Sequence, residues 1–377
     1  MRRPLPAVSM AAAAIVVLLA LGLVGLVVHE PRRVQGRGPA RGTGIADVLS
    51  ELMGFVERER GLPFLEKVDV VLVDDEEFDA RLGSPDPDTR DKIEEVEAVL
   101  LAMGLVRPDV DLLAIVEEFA KQAVLGFYDA GSGELVVRGA EATPLARTTV
   151  VHELVHALED QHFDLERPDL GDEAAAGLQA LAEGSAIVVE ERYVDSLSAA
   201  ERRSAEGAEL ALGRGVVAAM PEVVQIAFGF PYAFGPNLVR AVLDAGGQPR
   251  LDQAFEDPPL STEQVLDPAR YLRGDDPRPV GAPRADRPAF GDGEIGELYL
   301  LLMLRAELTD RDARDAAQGW GGDHYVAWRD GARTCVRMRF VMDTPRDTDE
   351  LEAALATWAA QRPATASASG TSLRTCS

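Results

Sequence analysis

Residues 148–162, TTVVHELVHALEDQH, decide how the rest of the chain is interpreted, because they contain the pattern His-Glu-x-x-His. His152 and His156 are four residues apart, so on a helix their side chains project from one face, one turn apart. Two imidazoles placed in this way can share a tetrahedral Zn²⁺ ion, each through one ring nitrogen. Glu153 follows the first histidine and would reach the water that zinc activates, as a general base.

The helix that carries this pattern has clear end signals. Thr143 can cap its start, Pro144 suits the first helical position, and Pro168 sets a limit to its length. The apolar residues on it repeat at helical spacing: Val151, Leu154, Val155 and Leu158. An isolated His-Glu-x-x-His is weak evidence, but three of the five histidines of the chain fall between residues 152 and 162. We therefore predict a buried helix with one zinc ion at its flank.

The composition is that of a globular protein with an acidic surface. The chain has 377 residues, enough for one large or two ordinary domains, and is 46% hydrophobic and 27% charged. Its net charge of −26 argues against binding to nucleic acid or to an anionic membrane surface, since both need a basic patch. Cys335 and Cys376 form one disulfide if the domain is exported; two free thiols are the alternative.

The N-terminus predicts a membrane anchor. Arg2 and Arg3 precede an uncharged apolar run from Met10 to Val28, which is long enough to cross a bilayer and has no clear cleavage site after it. We assign residues 1–29 to a retained signal anchor and the Gly-, Pro- and Arg-rich residues 30–43 to a flexible linker. Arginines also follow the run, but the order of segments favours export of the C-terminal part.

The remainder predicts an α+β protein that is mostly helical, with a small sheet and hairpin ahead of the His-Glu-x-x-His helix. Strands are expected at 67–73, 123–128 and 134–138, and later at 325–329 and 333–342. Helices are expected at 45–60, 75–82, 89–104, 109–122, 172–196, 199–228, 237–245, 293–307 and 347–360, with a break at 229–236. We assign residues 44–200 to a catalytic core, 201–360 to a helical C-terminal part packing on it, and 361–377 to a disordered tail.

Four blocks of sequence carry a resemblance to known proteins: HELVHALEDQHFDL at 152–165, LAEGSA at 181–186, STEQVLDPARY at 261–271 and GWGGDHY at 319–325. The chain resembles zincin metallopeptidases of the gluzincin type, and an uncharacterised group of exported bacterial zincin-like proteins. The resemblance implies a zincin-like fold, with Glu183 as third zinc ligand beside His152 and His156, and Glu153 as catalytic base. It also implies that an edge strand, here 134–138, aligns a peptide substrate.

The third ligand has an alternative in His162, which lies six residues after His156 as in the metzincin motif. That motif needs glycine where this chain has Glu159, so the helix should run on and turn His162 away from the metal. Asp164 is a further alternative. Small residues beside Glu183 (Gly184, Ser185 and Ala186) would let its helix approach the His-Glu-x-x-His helix closely enough for the carboxylate to reach the metal.

The residues around the metal differ in part from the gluzincin pattern. That pattern often has an aspartate four residues after the glutamate ligand, where this chain has Ile187; Glu190 is the candidate to orient a zinc histidine instead. Candidates for stabilising an oxyanion are Tyr232, His324 and Tyr325.

The sequence thus predicts a membrane-anchored zinc metallopeptidase of the cell envelope that acts on a peptide or protein substrate. The alternative is a non-catalytic envelope protein with a structural zinc site. Structural zinc sites have four protein ligands, whereas the three ligands predicted here favour catalysis. The sequence leaves the oligomeric state open.

Overall fold

The structure is a computed structural model that describes residues 45–129, 134–139, 141–209 and 220–377. The predicted anchor and linker lie outside these residues, and no helix within them is both long and apolar enough to cross a membrane. The chain divides into two compact units. The first unit comprises the described residues of Met1–Thr89, Ala114–Pro168 and Leu178–Asp257, and the second comprises Arg90–Leu113, Asp169–Gly177 and Pro258–Ser377.

Helices dominate, as expected for a mostly helical α+β protein. They are α1 (Ile45–Arg60), α2 (Asp75–Leu82), α3 (Pro87–Ala102), α4 (Leu112–Ala123), α5 (Pro144–Phe163), α6 (Asp172–Ser196), α7 (Ala199–Glu209), α8 (Glu222–Glu256), α9 (Thr262–Leu266), α10 (Pro268–Arg273), α11 (Gly296–Arg305), α12 (Asp310–Ala317) and α13 (Pro345–Ala360). The strands are β1 (Asp69–Val73), β2 (Gly126–Asp129), β3 (Glu134–Arg138), β4 (Ala289–Gly293), β5 (Trp320–Asp330), β6 (Arg333–Met342), β7 (Ala366–Ser369) and β8 (Ser372–Cys376).

The first unit contains a three-stranded sheet in the order β1-β3-β2. Strand β1 pairs parallel to β3, and β2 pairs antiparallel to β3. The prediction of an edge strand at 134–138 is therefore wrong, because β3 is the central strand and β2 is an edge. The continuous apolar run Leu135, Val136 and Val137 is fully buried, as is typical of a strand covered on both faces.

Helix α5 lies in the core of the first unit, packed with α1, α6 and the sheet. Its predicted apolar stripe is confirmed, since Val151, Leu154, Val155 and Leu158 are all 0% exposed. His152, Glu153 and His156 are buried as well. Polar groups in such a position need partners, which places a strong constraint on what surrounds them.

Helix α8 contradicts the predicted break at 229–236. It runs through Pro231 and Pro236, and its non-helical residues are Gly246 and Gly247. Gly235 does not break the helix but allows α8 to approach α6 closely, because a Cβ at this position would lie 2.1 Å from the carbonyl oxygen of Ala180. Packing of the helix against α6 thus overrides the local preference of proline and glycine for a turn.

The second unit contains a five-stranded antiparallel sheet in the order β4-β5-β6-β8-β7. Helices α11, α12 and α13 contribute to its core with Trp320 and Trp358. This sheet corrects the prediction that residues 201–360 are a helical part. The two units also interleave along the chain, so a boundary at residue 200 does not describe them.

The predicted disordered tail at 361–377 is also wrong. It forms β7 and β8, and β8 pairs with β6 over five residues. Leu373 is fully buried, and a disulfide joins Cys335 to Cys376. The Ser-, Thr- and Ala-rich composition suggested disorder, but pairing with a distant strand gives these residues a fixed structure.

Candidate metal centre

Helix α5 starts as the sequence predicts and places both histidines on one face. The hydroxyl oxygen of Thr143 accepts a hydrogen bond from the N–H of Ala146 at 3.1 Å, and Pro144 is the first helical residue. The helix continues without a break to Phe163. The Nε2 atoms of His152 and His156 consequently lie 3.1 Å apart.

Glu183 of α6 completes a three-residue cluster. Its Oε2 atom lies 3.2 Å from Nε2 of His152 and 3.5 Å from Nε2 of His156. One ligand atom from each of the three residues lies within 4.8 Å of the others, and all three residues are buried. The structure therefore brings together the three residues that the sequence nominated as zinc ligands.

The charges in this cluster favour an ionised carboxylate. Burial alone would raise the pKa of Glu183, but His156 and His152 lower it to about 2. Burial alone would lower the pKa of His152, because it disfavours the charged ring. Hydrogen bonds to Glu183 and Glu190 outweigh this effect and raise the pKa of His152 well above its usual value. A deprotonated carboxylate is the form that binds a metal ion, so Glu183 is prepared for that role.

Glu190 contacts the other ring nitrogen of His152. Its Oε2 atom lies 2.9 Å from Nδ1 of His152, one turn of α6 beyond the position where the gluzincin pattern has aspartate. In the neutral ring that a metal ion would bind, a proton on Nδ1 donated to Glu190 would leave the lone pair of Nε2 facing Glu183 and His156. Such a contact fixes both the tautomer and the ring orientation of a metal-binding histidine.

Glu153 lies beside the cluster and touches strand β2. Its Oε2 atom accepts a hydrogen bond from the main-chain N–H of Tyr128 at 3.1 Å. Its Oε1 atom is buried and has no hydrogen-bond partner among the described residues. Burial raises the pKa of Glu153 to about 7, although His152 and His156 act in the opposite direction. The contact with Tyr128 was not predicted from the sequence, where the one indication of it is that β2 belongs to the hairpin ahead of α5.

Tyr232 is the one oxyanion candidate in the same unit as the cluster. It is 5% exposed, and its hydroxyl has no hydrogen-bond partner within the described part of the chain. Burial, the negative charge of Glu183 and the approach of the hydroxyl to the Glu183 carboxylate raise the pKa of Tyr232 well above its usual value, so the hydroxyl stays protonated. The hydroxyl thus faces Glu183, although the two do not meet the geometry of a hydrogen bond. His324 and Tyr325 belong to β5 of the second unit, where His324 lies 3.1 Å from Asp292.

The alternative third ligands lie elsewhere. The ring nitrogen Nε2 of His162 is 2.8 Å from the carbonyl oxygen of Pro63. Asp164 is the residue at which α5 ends, with a φ of 53°. The run of α5 past Glu159 turns both residues away from His156, as the absence of the metzincin glycine predicts.

The donor set fits zinc. Two imidazole nitrogens and one carboxylate oxygen are typical of a catalytic zinc site, whereas calcium and magnesium prefer oxygen ligands alone. Three buried polar atoms, Oε1 of Glu183, Oε1 of Glu153 and the Tyr232 hydroxyl, have no hydrogen-bond partner in the described ranges. Buried polar atoms without partners are rare, and a bound ion with its water would supply partners for these three.

A match to a known protein family lies in the second unit. Residues 286–375 match a family described as a domain of unknown function (DUF8575). The matched range contains β4 to β7 and all of β8 except Cys376, and none of His152, Glu153, His156 and Glu183. Searches of curated proteins and of solved structures gave no match.

Proposed function

We propose that this chain is a zinc-dependent peptidase. The observation that carries the proposal is the buried cluster of His152, His156 and Glu183, whose ligand atoms lie within 4.8 Å of one another beside Glu153. Two histidines and a glutamate would hold the ion. When bound, zinc acts as a Lewis acid that acidifies water and polarises a carbonyl group.

Glu153 is the proposed general base and acid. Its Oε2 atom is held by the N–H of Tyr128, and its Oε1 atom has no hydrogen-bond partner among the described residues, which leaves it available for the reaction. The same carboxyl would take a proton from water and later give it to the leaving amine. Burial raises its pKa to about 7 in the metal-free protein, which opposes the lowering effect that a bound cation would have on it.

Tyr232 is the proposed donor to the oxyanion. A neutral hydroxyl whose pKa is raised donates a hydrogen bond without losing its proton. Helices α6 and α8 cross closely near this residue: a Cβ on Gly184 would lie 2.3 Å from the main chain of Gly235. Gly184 follows Glu183 directly, and Gly235 lies three residues after Tyr232, so the crossing holds both side chains at a short separation.

Strand β2 is the proposed docking edge for the peptide. The N–H of Arg138 donates to the carbonyl oxygen of Leu125, so the main-chain groups of Gly126 and Tyr128 face away from β3. The N–H of Tyr128 is bonded to Glu153, and an incoming peptide would have to take its place or bond to other groups of this edge. A peptide that adds to this edge would run directly past Glu153, since Tyr128 contacts its carboxylate.

A cavity of about 320 Å³ lies at the start of this edge, and it suggests a preference for apolar side chains. Its lining includes Leu125, Val137, Leu145 and Thr149. Thr149 lies one helical turn before Glu153, so the cavity is within one or two peptide residues of the proposed reaction. We expect peptides with an apolar residue near the cleaved bond to be the better substrates.

A structural zinc site is the second candidate function. No fourth histidine, cysteine, aspartate or glutamate joins the cluster in the part of the chain that the structure describes. Structural sites are closed by four protein ligands, whereas catalytic sites have three and a water. The ligand count and the position of Glu153 both favour catalysis.

We further propose that the protein is anchored in a membrane by residues 10–28, with the described residues outside the cytoplasm. The apolar run supports the anchor. The disulfide between Cys335 and Cys376 supports the location, because disulfides persist in oxidising compartments and are rare in the cytosol.

The test uses the full chain, purified in detergent. The protein should contain about one zinc per chain and cleave a mixture of fluorogenic peptides. A strong chelator should abolish cleavage, and added zinc should restore it. A zinc-loaded protein that cleaves no member of a diverse peptide mixture would favour the structural site instead.

A further inference from the structure

A buried ion pair ties the proposed metal-binding helices to two further helices. The guanidinium of Arg60, at the end of α1, donates from Nε to Oε1 of Glu159 on α5 at 2.7 Å. Both side chains are 0% exposed. The two terminal nitrogens of the Arg60 guanidinium donate to residues of α8: one to Gln248, the other to Asp252 at 3.2 Å.

The same carboxylate oxygen of Glu159 also contacts the helix that carries Glu183. The hydroxyl of Ser185 on α6 donates to Oε1 of Glu159 at 2.5 Å. Glu159 lies one helical turn after the proposed ligand His156, and Ser185 lies two residues after the proposed ligand Glu183. One oxygen atom therefore joins the two helices next to the ligands that each supplies.

A buried ion pair of this kind is a poor means of stabilising a fold. Taking both charges out of water offsets most of their attraction, and well-packed apolar side chains of the same size are often equally stable. Oε2 of Glu159 has no hydrogen-bond partner among the residues described, which adds to the cost. A role in fixing the relative positions of α5 and α6 accounts better for the ion pair of Arg60 and Glu159.

We propose that Glu159, held by Arg60, is a positioning residue for the metal centre. Its contact with Ser185 fixes the separation of α5 and α6 before the ion binds, so that His152, His156 and Glu183 lie close enough to share it. Apolar contacts between the two helices allow small sliding movements, whereas a short hydrogen bond to a charged group does not. The inference rests on the proposed zinc site.

The test compares zinc affinity with the stability of the metal-free protein. Ser185→Ala removes the link to α6 and leaves the pair of Arg60 and Glu159 in place. We expect the folded variant to bind zinc about 10–100-fold more weakly, the range typical of residues that support metal ligands. Affinity is measured by competition with a chromophoric chelator on the full chain, and the thermal midpoint is measured without metal.

Arg147→Met is the matched control. Arg147 also lies on α5 and forms an ion pair at 2.7 Å, with Glu201 on α7 and away from the ligands. Both variants should lower the thermal midpoint of the metal-free protein, but only Ser185→Ala should weaken zinc binding. If Ser185→Ala does not fold, Ser185→Cys keeps the size of the side chain and should shift the affinity in the same direction by a smaller factor.

The outcomes separate this inference from the proposed function. A parent protein that binds no zinc overturns both. A parent that binds zinc, with Ser185→Ala binding equally tightly, overturns the positioning role alone. An equal loss of affinity in Arg147→Met also overturns it, because the effect would then come from any loosening of α5.

Discussion

Replacing Tyr232 with phenylalanine should make the protein more stable and less active at the same time. The substitution removes only the hydroxyl, which is buried near the Glu183 carboxylate but forms no hydrogen bond of good geometry among the described residues. A buried polar group without a partner costs about 1–3 kcal/mol, so its removal should raise the free energy of unfolding by about that amount. For a domain of ordinary size each kcal/mol shifts the thermal midpoint by about 2–4 °C.

The loss of activity should be larger than the gain in stability. Removing one donor to a developing oxyanion typically lowers kcat by about 10²–10³-fold, or about 2.7–4 kcal/mol in activation free energy. The assay pairs calorimetry of the metal-free protein with steady-state kinetics on a fluorogenic peptide. Tyr193→Phe is the control, since Tyr193 is a buried tyrosine of the same unit that packs edge-on against Phe55, and it should leave kcat unchanged.

Two results would refute this reasoning about Tyr232. Full kcat in Tyr232→Phe would exclude the hydroxyl from the reaction. A lower thermal midpoint would show that the hydroxyl makes a stabilising contact, so that its position is explained by folding alone.

Four other substitutions test the ligands, their support and the second unit. Glu183→Ala should lose zinc while His162→Ala keeps it, as measured by metal analysis of the folded variants; the reverse would make His162 the third ligand. Glu190→Ala should weaken zinc binding by about 10–100-fold in a chelator competition, because His152 loses the partner of its Nδ1 atom, and unchanged affinity would argue against that support. Burial raises the pKa of Glu173 from 4.5 to about 8, so its contribution to stability is complete below pH 4.5 and is lost as pH rises through 8. Glu173→Gln should therefore flatten the fall in unfolding free energy across that range, by at most about 5 kcal/mol in urea titrations, and an unaltered pH profile would contradict the raised pKa.

Much of the candidate site follows from local sequence. Three of its features lie within one helix: the spacing of His152 and His156, the cap at Thr143 and the absence of glycine at position 159. In a regular helix, the spacing of two residues in the sequence fixes the angle between their side chains. Small residues beside Glu183 indicated a close approach to α5, but the closest approach that the glycine makes is to another helix. The glycine among them, Gly184, packs against α8, whereas Ser185 faces α5.

The errors concern contacts between residues that are far apart in the chain. The tail forms strands because β8 pairs with β6, and nothing within residues 361–377 specifies that partner. Strand β3 is central because β1, more than 60 residues earlier, pairs with its second edge. Arg60 and Glu159 are 99 residues apart and meet only in the folded protein. Periodicity and capping describe single elements, and they carry no information about which elements become neighbours.

The central claim is that Glu153 is a base acting at a zinc ion held by other residues, and one paired measurement on Glu153→Gln tests it most directly. The amide keeps the size of the side chain and an oxygen that can accept the hydrogen bond from Tyr128, but it cannot take a proton. The account predicts about one zinc per chain in this variant, as in the parent, and hydrolysis lower by several orders of magnitude. Full hydrolysis by a zinc-loaded Glu153→Gln protein would contradict it.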